Sequence, residues 1–142
     1  MLKAGDRAPD FSNPDADMNI VELSQFQGKT LVLYFYMRDD TPGCTAEAIE
    51  FSELETDFAK LGATVLGVSR DDCIKHGEFR DKHGISVRLL ADKDQTTCEA
   101  YGVLQDKEVD GVVRKGVVRS TFIIDKQGVI RHALYGVSSR GH

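Results

Sequence analysis

The sequence predicts one α/β domain over residues 1–142, built on a mixed central β-sheet flanked by helices. Residues 30–36 and 63–68 are continuous apolar, β-branched runs, which are typical of central strands covered on both faces. Each run is followed by a helical pattern. Residues 117–124 and 129–134 then flank the turn sequence Asp-Lys-Gln-Gly, which suits an antiparallel hairpin. A strand–helix–strand–helix run followed by a hairpin predicts a mixed sheet.

The N-terminal part is predicted to be a loop with a short strand pair at the edge of the sheet. Residues 5–14 contain Gly, Pro and Asp, which favour turns. We place one edge strand near residues 10–13 and its partner near residues 19–22. Residues 23–27 are predicted to form a short helical turn over the core.

The first long helix is predicted over residues 42–61. Four apolar side chains at helical spacing form one predicted stripe along it: Phe51, Leu54, Phe58 and Leu61. Gly62 ends the helix, because glycine readily adopts the left-handed conformation that follows a helix. This stripe should pack the helix against the sheet.

The second half of the chain alternates shorter elements. Ser69 is a candidate N-cap for a helix over residues 71–83, which a glycine ends. Residues 87–90 are predicted to form a short strand, and residues 95–101 a short helix. Residues 105–116 are charged and punctuated by glycine, so they form either a loop or an exposed hairpin.

Composition and charge exclude several classes of function. The net charge of −5 disfavours nucleic acid and anionic membranes as partners. The N-terminus lacks the apolar segment of a signal peptide, and no apolar run approaches the roughly 18 residues of a membrane span. Three widely spaced cysteines without a CxxC motif fit a reducing compartment and disfavour a disulfide reductase. We therefore expect a cytoplasmic location.

The junction Thr41-Pro42-Gly43-Cys44 indicates cysteine chemistry. Thr is a good N-cap and Pro suits the first helical position, so Cys44 should lie in the first helical turn. Free N–H groups and the positive end of the helix dipole stabilise an anion there, and a thiolate is the nucleophilic form of cysteine. The alternative is a buried cysteine that acts only as a small hydrophobe.

The chain resembles the peroxiredoxins of the bacterioferritin-comigratory-protein, or PrxQ, subfamily. The matching segments occur in the family's order and are GDRAPDF (5–11), YFYMRDDTPGCTAEA (34–48), LGVSRD (66–71), KHG (82–84), LLADKD (89–94), AYGV (100–103), RSTFIID (119–125) and GH (141–142). The resemblance implies a thioredoxin-like fold and thiol peroxidase activity. It also implies a reaction that uses cysteine alone, without metal, haem or flavin.

The resemblance assigns three site residues. Cys44 matches the peroxidatic cysteine, which attacks the peroxide O–O bond and becomes a sulfenic acid. Thr41 matches the residue whose hydroxyl binds the peroxide, and Arg119 matches the arginine that stabilises the thiolate and the leaving oxygen. Asp39 and Asp40 would disfavour a thiolate, and a permanent cation such as Arg119 would counter them. Without the resemblance, the sequence favours a surface charge for Arg119.

Three positions depart from the family pattern. Met37 stands where the family has a proline seven residues before the peroxidatic cysteine. Ile49 and Arg80 stand at the two positions where family members carry a resolving cysteine. The family also continues into a C-terminal helix, which this chain is expected to lack after Gly141-His142.

The remaining thiols and imidazoles are weaker candidates. Cys73 lies two helical turns before Arg80, so it is a candidate resolving cysteine, with a partly buried helix residue as the alternative. Cys98 is the other candidate thiol, with packing in the core as the alternative. The histidines His76, His83 and His132 lack metal-ligand spacing and are expected to be surface or strand residues.

Two functional hypotheses follow. The first is a peroxidase that reduces hydrogen peroxide and organic hydroperoxides, with electrons from a thioredoxin- or glutaredoxin-like protein or a small thiol. The second is a redox-sensing protein that is oxidised at Cys44 but turns over poorly. In either case the protein is expected to be a monomer or a weak dimer.

Overall fold

A computed structural model describes residues 2–136 of the protein. Its helices are α1 (Pro42–Lys60), α2 (Cys73–His83) and α3 (Thr96–Ala100), with a 3-10 helix at Leu23–Phe26. The strands are β1 (Ser12–Pro14), β2 (Ile20–Glu22), β3 (Thr30–Phe35), β4 (Ala63–Ser69), β5 (Arg88–Ala91), β6 (Leu104–Val109), β7 (Val112–Val117), β8 (Ser120–Ile124) and β9 (Ile130–Tyr135). Gly141 and His142 of the matching motif lie outside the described residues. The expectation that the chain lacks a C-terminal helix also falls outside them.

The central sheet is mixed, as predicted. Its five strands are arranged in the order β5-β4-β3-β8-β9. β3 and β5 both run parallel to β4, whereas β8 runs antiparallel to β3 and to β9. The helix-containing connections after β3 and β4 allow this parallel pairing. β8 and β9 form the predicted hairpin, and β6 and β7 form a second, separate hairpin.

The sheet separates two apolar layers. Alternate residues of β3 belong to different clusters, because successive side chains of a strand point to opposite faces. Leu33 lies in the layer that contains Cys98 of α3 and Tyr101, which directly follows α3. Tyr34 lies in the other layer, with Phe51 of α1 and Phe79 of α2. α1 and α2 therefore share one face of the sheet, and α3 covers the opposite face.

The buried stripe of α1 differs from the predicted one. Cys44, Glu47, Ala48 and Phe51 are buried at the spacing i, i+3, i+4 and i+7. Leu54 and Leu61 were predicted to face the core, but they are 48% and 81% exposed. The prediction was wrong for these two because Leu54 lies beside this stripe and Leu61 follows the last helical residue.

The predicted cap of α2 was also wrong. Ser69 is the last residue of β4, and its hydroxyl donates to Asp71 Oδ2 at 2.8 Å. Asp72 is the N-cap instead, and its side chain accepts a hydrogen bond from the Lys75 N–H at 2.8 Å. Asp72 directly precedes the helix in extended conformation, which allows its carboxylate to reach this free N–H.

One histidine was assigned to the wrong environment. His76 was expected at the surface or in a strand, but it lies on α2 and is 0% exposed. The tertiary structure supplies polar partners for both of its ring nitrogens, which allows it to be buried. His132 is an exposed strand residue of β9, as predicted. Within residues 2–136, no helix combines the length and apolarity needed to cross a membrane.

Candidate active site

Cys44 is the third residue of α1, in the first turn as predicted. Thr41 is the extended N-cap and Pro42 is the first helical residue. The first helical hydrogen bond runs from the Thr45 N–H to the Thr41 carbonyl at 2.8 Å. The N–H groups of Gly43 and Cys44 precede it, so they have no acceptor within the helix. This end of the helix therefore favours a negative charge on the sulfur.

The walls of the site are apolar. Cys44 is 1% exposed and belongs to the cluster that includes Tyr34, Tyr36, Ala48 and Phe51. The rings of Tyr34 and Phe51 stack with centroids 4.5 Å apart. Such surroundings keep water away and strengthen each electrostatic contact to the sulfur. The charged neighbours of Cys44 therefore have a large effect on its reactivity.

Arg119 supplies the positive charge beside Cys44. Its Nη2 lies 3.3 Å from Cys44 Sγ, and its side chain is only 10% exposed. Arg119 directly precedes β8, whose first residue, Ser120, pairs with Phe35 at the end of β3. Because β3 leads into α1, this register brings the guanidinium to the helix N-terminus. The sequence resemblance placed Arg119 in the site, and the structure accounts for how it reaches Cys44.

Glu47 is a site residue that the sequence analysis did not select. It lies one helical turn after Cys44 and is 0% exposed. Its Oε1 is 3.6 Å from Arg119 Nη1, so one guanidinium faces both a thiol and a carboxylate. A glutamate on the apolar face of a helix was the available sequence signal, because a buried carboxylate requires a partner.

Thr41 is close in sequence to Cys44 but its hydroxyl is engaged elsewhere. The Oγ1 donates to the Arg38 carbonyl at 3.0 Å and makes no capping hydrogen bond to α1. Thr41 is partly exposed, whereas Cys44 beneath it is buried. Thr41 is thus more accessible to solvent than the sulfur of Cys44.

The two acidic residues before Thr41 are held by α2 and the segment that precedes it. Asp39 is buried, and its carboxylate lies 2.6 Å from His76 Nδ1. Asp40 is exposed and accepts from Lys82 Nζ at 2.7 Å and His83 Nε2 at 2.8 Å. These hydrogen bonds, first that of Lys82, lower the pKa of Asp40. Both carboxylates therefore have partners of their own near the thiol.

One group of side chains has metal-ligand chemistry. Asp39, Asp71 and His76 each offer an atom within 4.8 Å of the others, and all three are buried. Hydrogen bonds already connect them: Ser69 and the Asp39 N–H donate to Asp71, and His76 contacts Asp39. These bonds account for the cluster without an ion.

The other two cysteines have environments that differ from that of Cys44. Cys98 belongs to the apolar layer on the opposite face of the sheet. Burial, followed by a hydrogen bond to Asp92, strongly raises the pKa of its thiol. Cys73 is partly buried at the start of α2 and lines a cavity of about 440 Å³ with residues 10–14 and parts of 91–97. Burial, then the charge of Asp72, raises the pKa of Cys73.

The three departures from the family pattern have distinct environments. Met37 is 42% exposed. Ile49 is partly buried against the cluster that contains Cys44. Arg80 forms ion pairs with Asp17 at 3.0 Å and Asp81 at 3.1 Å. All three cysteines are free in the structure.

Comparison with known proteins identifies the family. Residues 4–133 match the AhpC/TSA family. Peroxiredoxin Bcp of Escherichia coli K12 is 39% identical over 141 residues, which cover 99% of this chain and 90% of the relative. Peroxiredoxin Bcp of Bacillus subtilis is 42% identical over 127 residues, covering 89% of this chain and 81% of the relative. The chain therefore belongs to the AhpC/TSA family.

Solved structures agree with this assignment. Peroxiredoxin Q of Xanthomonas campestris has a TM-score of 0.93 and 35% identity, covering 99% of this chain and 92% of its own. The bacterioferritin comigratory protein of the same species, solved to study its alkyl peroxide reduction activity, has a TM-score of 0.90 and 36% identity. That match covers 93% of this chain and 84% of the solved one. The thioredoxin-like peroxiredoxin fold and the bacterioferritin-comigratory-protein or PrxQ subfamily are both confirmed.

Proposed function

We propose that this chain is a thiol peroxidase in which Cys44 reduces hydrogen peroxide and organic hydroperoxides. The Cys44 thiolate attacks one oxygen of the O–O bond, which breaks. The sulfur becomes a sulfenic acid, and the other oxygen leaves as water or an alcohol after taking up a proton. The observation that carries the proposal is Arg119 Nη2, 3.3 Å from a sulfur in the first turn of a helix.

Arg119 and Thr41 have complementary roles in this proposal. The guanidinium stabilises the thiolate before attack and the developing negative charge on the leaving oxygen during it. Glu47, 3.6 Å away, orients the guanidinium by engaging its other nitrogen. The Thr41 hydroxyl turns from the Arg38 carbonyl to hold the incoming peroxide. Because Cys44 is 1% exposed, small peroxides have the easiest access.

An external thiol completes the cycle. This thiol condenses with the sulfenic acid, which gives a mixed disulfide and water. A second thiol then attacks the external sulfur of the mixed disulfide, which releases Cys44 as a thiol and joins the two external thiols in a disulfide. We propose a thioredoxin- or glutaredoxin-like protein or a small thiol as this reductant. Ile49 and Arg80 at the usual resolving positions support an external thiol, with Cys73 as the internal candidate. We further propose a single domain over residues 1–142 that works in the cytoplasm as a monomer or weak dimer.

Peroxide consumption under turnover tests the proposal. With excess thiol reductant, the wild-type chain should consume many equivalents of peroxide, and Cys44→Ser should consume none. Cys98→Ala is the matched control, because Cys98 lies across the sheet from Cys44 and should not alter the rate. One stoichiometric oxidation without turnover would contradict the peroxidase and favour the redox-sensing alternative.

A further inference from the structure

His76 is a fully buried imidazole whose two nitrogens both face hydrogen-bond acceptors. Nε2 lies 2.9 Å from the Leu90 carbonyl oxygen, and Nδ1 lies 2.6 Å from Asp39 Oδ2. A carbonyl oxygen can only accept, so Nε2 carries a proton. A neutral imidazole has only one N–H, so Nδ1 would then be a bare lone pair against a carboxylate oxygen.

The short contact to Asp39 requires one more proton. Two lone pairs 2.6 Å apart in a buried site would repel each other, whereas a proton between them forms a strong hydrogen bond. The Tyr36 hydroxyl lies 3.3 Å from His76 Nδ1, but it has one proton and donates it to Asp39 Oδ1 at the shorter distance of 2.5 Å. Burial, then the charge of Asp39, raises the pKa of Tyr36 well above its usual value, so this phenol keeps its proton. The geometry therefore places one proton in the contact between His76 Nδ1 and Asp39 Oδ2.

The surroundings of the pair come from four parts of the fold. Tyr36 follows β3, Leu90 lies on β5, and Asp71 follows β4 and accepts from the Asp39 backbone N–H at 2.7 Å. On α2, Lys75 Nζ lies 3.9 Å from Asp71 Oδ1. The pair thus joins α2 and the edge strand to the loop that leads into α1.

That loop requires external support. Asp40 adopts φ +62°, a left-handed conformation that a non-glycine residue keeps only when neighbouring contacts hold it. Asp39 precedes it and is fixed through both carboxylate oxygens and its N–H. Thr41, the N-cap of α1, follows it. The orientation of the first turn, and hence of Cys44, depends on how Asp39 is held.

We propose that His76 is a positioning residue for the peroxidatic turn: the proton that it shares with Asp39 locks the loop that presents Thr41 and Cys44. The expected effect on peroxide reduction depends on the proposed peroxidase function, whereas the shared proton does not. His76 touches no substrate and acts through Asp39. Loss of the imidazole leaves a buried carboxylate without its main partner, which moves the loop away from the geometry seen here.

The shared proton can be measured directly in the reduced wild-type protein. Nitrogen-15 spectra of the histidine rings, with the His76 signals assigned from their absence in His76→Leu or another His76 variant, report which ring nitrogens are protonated. Carbon-13 spectra report the Asp39 carboxyl. At neutral pH we expect His76 with both N–H groups, or a protonated Asp39 beside it. A bare Nδ1 next to an ionised Asp39 would overturn the proposal.

Variants test the positioning role. His76→Leu should lower the second-order rate constant of Cys44 with peroxide by about tenfold or more, because small displacements of reacting groups are costly. His132→Leu is the matched control, because this exposed imidazole lies on β9, two strands away from β3, and should leave the rate unchanged. The double variant Asp39→Asn/His76→Leu removes the buried charge and should regain part of the lost rate.

Two additional readouts separate the possible failures. Circular dichroism establishes that each variant is folded at the assay temperature, and a folded His76→Leu with the wild-type rate would overturn the positioning role. The alkylation rate of Cys44 by iodoacetamide reports the geometry of the turn without peroxide. If the wild type reduces no peroxide, the proposed function fails, whereas a difference in alkylation between His76→Leu and His132→Leu still supports the positioning. Equal alkylation in those two variants would contradict it.

Discussion

Arg119 Nη2 lies 3.3 Å from Cys44 Sγ, although the two residues are 75 positions apart in the sequence. The contact depends on the antiparallel register of β3 and β8, which pairs Phe35 with Ser120. It places a permanent, forked cation beside a thiol at a helix N-terminus, where both side chains are largely buried. The reactivity of Cys44 should therefore be sensitive to the shape of this cation as well as to its charge.

Replacing Arg119 by lysine tests the importance of the fork. Arg119→Lys keeps a positive charge but cannot contact both Cys44 and Glu47 through separate nitrogens. We expect the second-order rate constant for peroxide to fall by roughly one to two orders of magnitude while the protein stays folded. Competition with a haem peroxidase of known rate measures this constant. Arg131→Lys, an exposed arginine on β9, is the control, and an unchanged rate in Arg119→Lys would refute the role.

Replacing Glu47 by glutamine separates orientation from charge. Glu47→Gln removes the ion pair that orients Arg119, so the peroxide rate should fall by about tenfold. Alkylation of Cys44 by iodoacetamide should not slow, because a negative charge near the thiolate has been removed. Glu50→Gln on the exposed side of α1 should change neither rate. Parallel losses of both rates would indicate a general disturbance of the site.

Excess peroxide should overoxidise Cys44 readily. A sulfenic acid persists when no nearby thiol condenses with it. Ile49 stands at one of the usual resolving positions and has no thiol. Continued exposure should then convert the sulfenic acid to sulfinic acid, which mass spectrometry of the intact chain detects. Added thiol reductant should protect the protein. Complete resistance without a reductant would reveal a fast internal partner.

Disulfide mapping after one equivalent of peroxide should identify that partner if it exists. We expect adducts of an external thiol on Cys44 as the main product, and Cys73 rather than Cys98 in any internal bridge. The sheet lies between Cys44 and Cys98, whereas α2, which carries Cys73, packs on the same face as α1. A disulfide needs Cα atoms within about 7 Å, whereas the axes of packed helices are typically about 8–10 Å apart. We therefore expect a Cys44–Cys73 bridge to require the first turn of α1 to unwind. A mapped Cys44–Cys98 link would contradict this order.

The packing of Tyr34 predicts a stability difference between two glycines. Gly67 of β4 pairs with Tyr34, and a Cβ there would lie 2.7 Å from the Tyr34 ring. Gly67→Ala should therefore lower the free energy of unfolding by about 1–3 kcal/mol. Gly77→Ala, in the interior of α2 with its nearest atom 3.9 Å away, should raise it by roughly 0.5–1 kcal/mol. Chemical denaturation of both variants provides the comparison, and equal effects would show that the ring can move aside.

Local signals allowed most of the fold to be predicted. The apolar runs identified β3 and β4, and the turn sequence identified the β8–β9 hairpin, to within a few residues. The predictions for the cap of α2 and for the C-terminal part of the α1 stripe were wrong. Tertiary contacts decide which of two neighbouring polar residues caps a helix and how far along a helix the packed surface extends. Leu54, at 48% exposure, shows how far helical spacing alone can mislead.

The sequence by itself determined the position of Cys44 at the start of a helix, because Thr41 and Pro42 act on the backbone within one turn. Only the tertiary structure decided which charges surround it. Strand register brings Arg119 to the sulfur, burial of the α1 face joins Glu47 to Arg119, and the packing of α2 turns His76 from an expected surface residue into the buried partner of Asp39. These contacts join residues distant in the chain, and no local spacing specifies them.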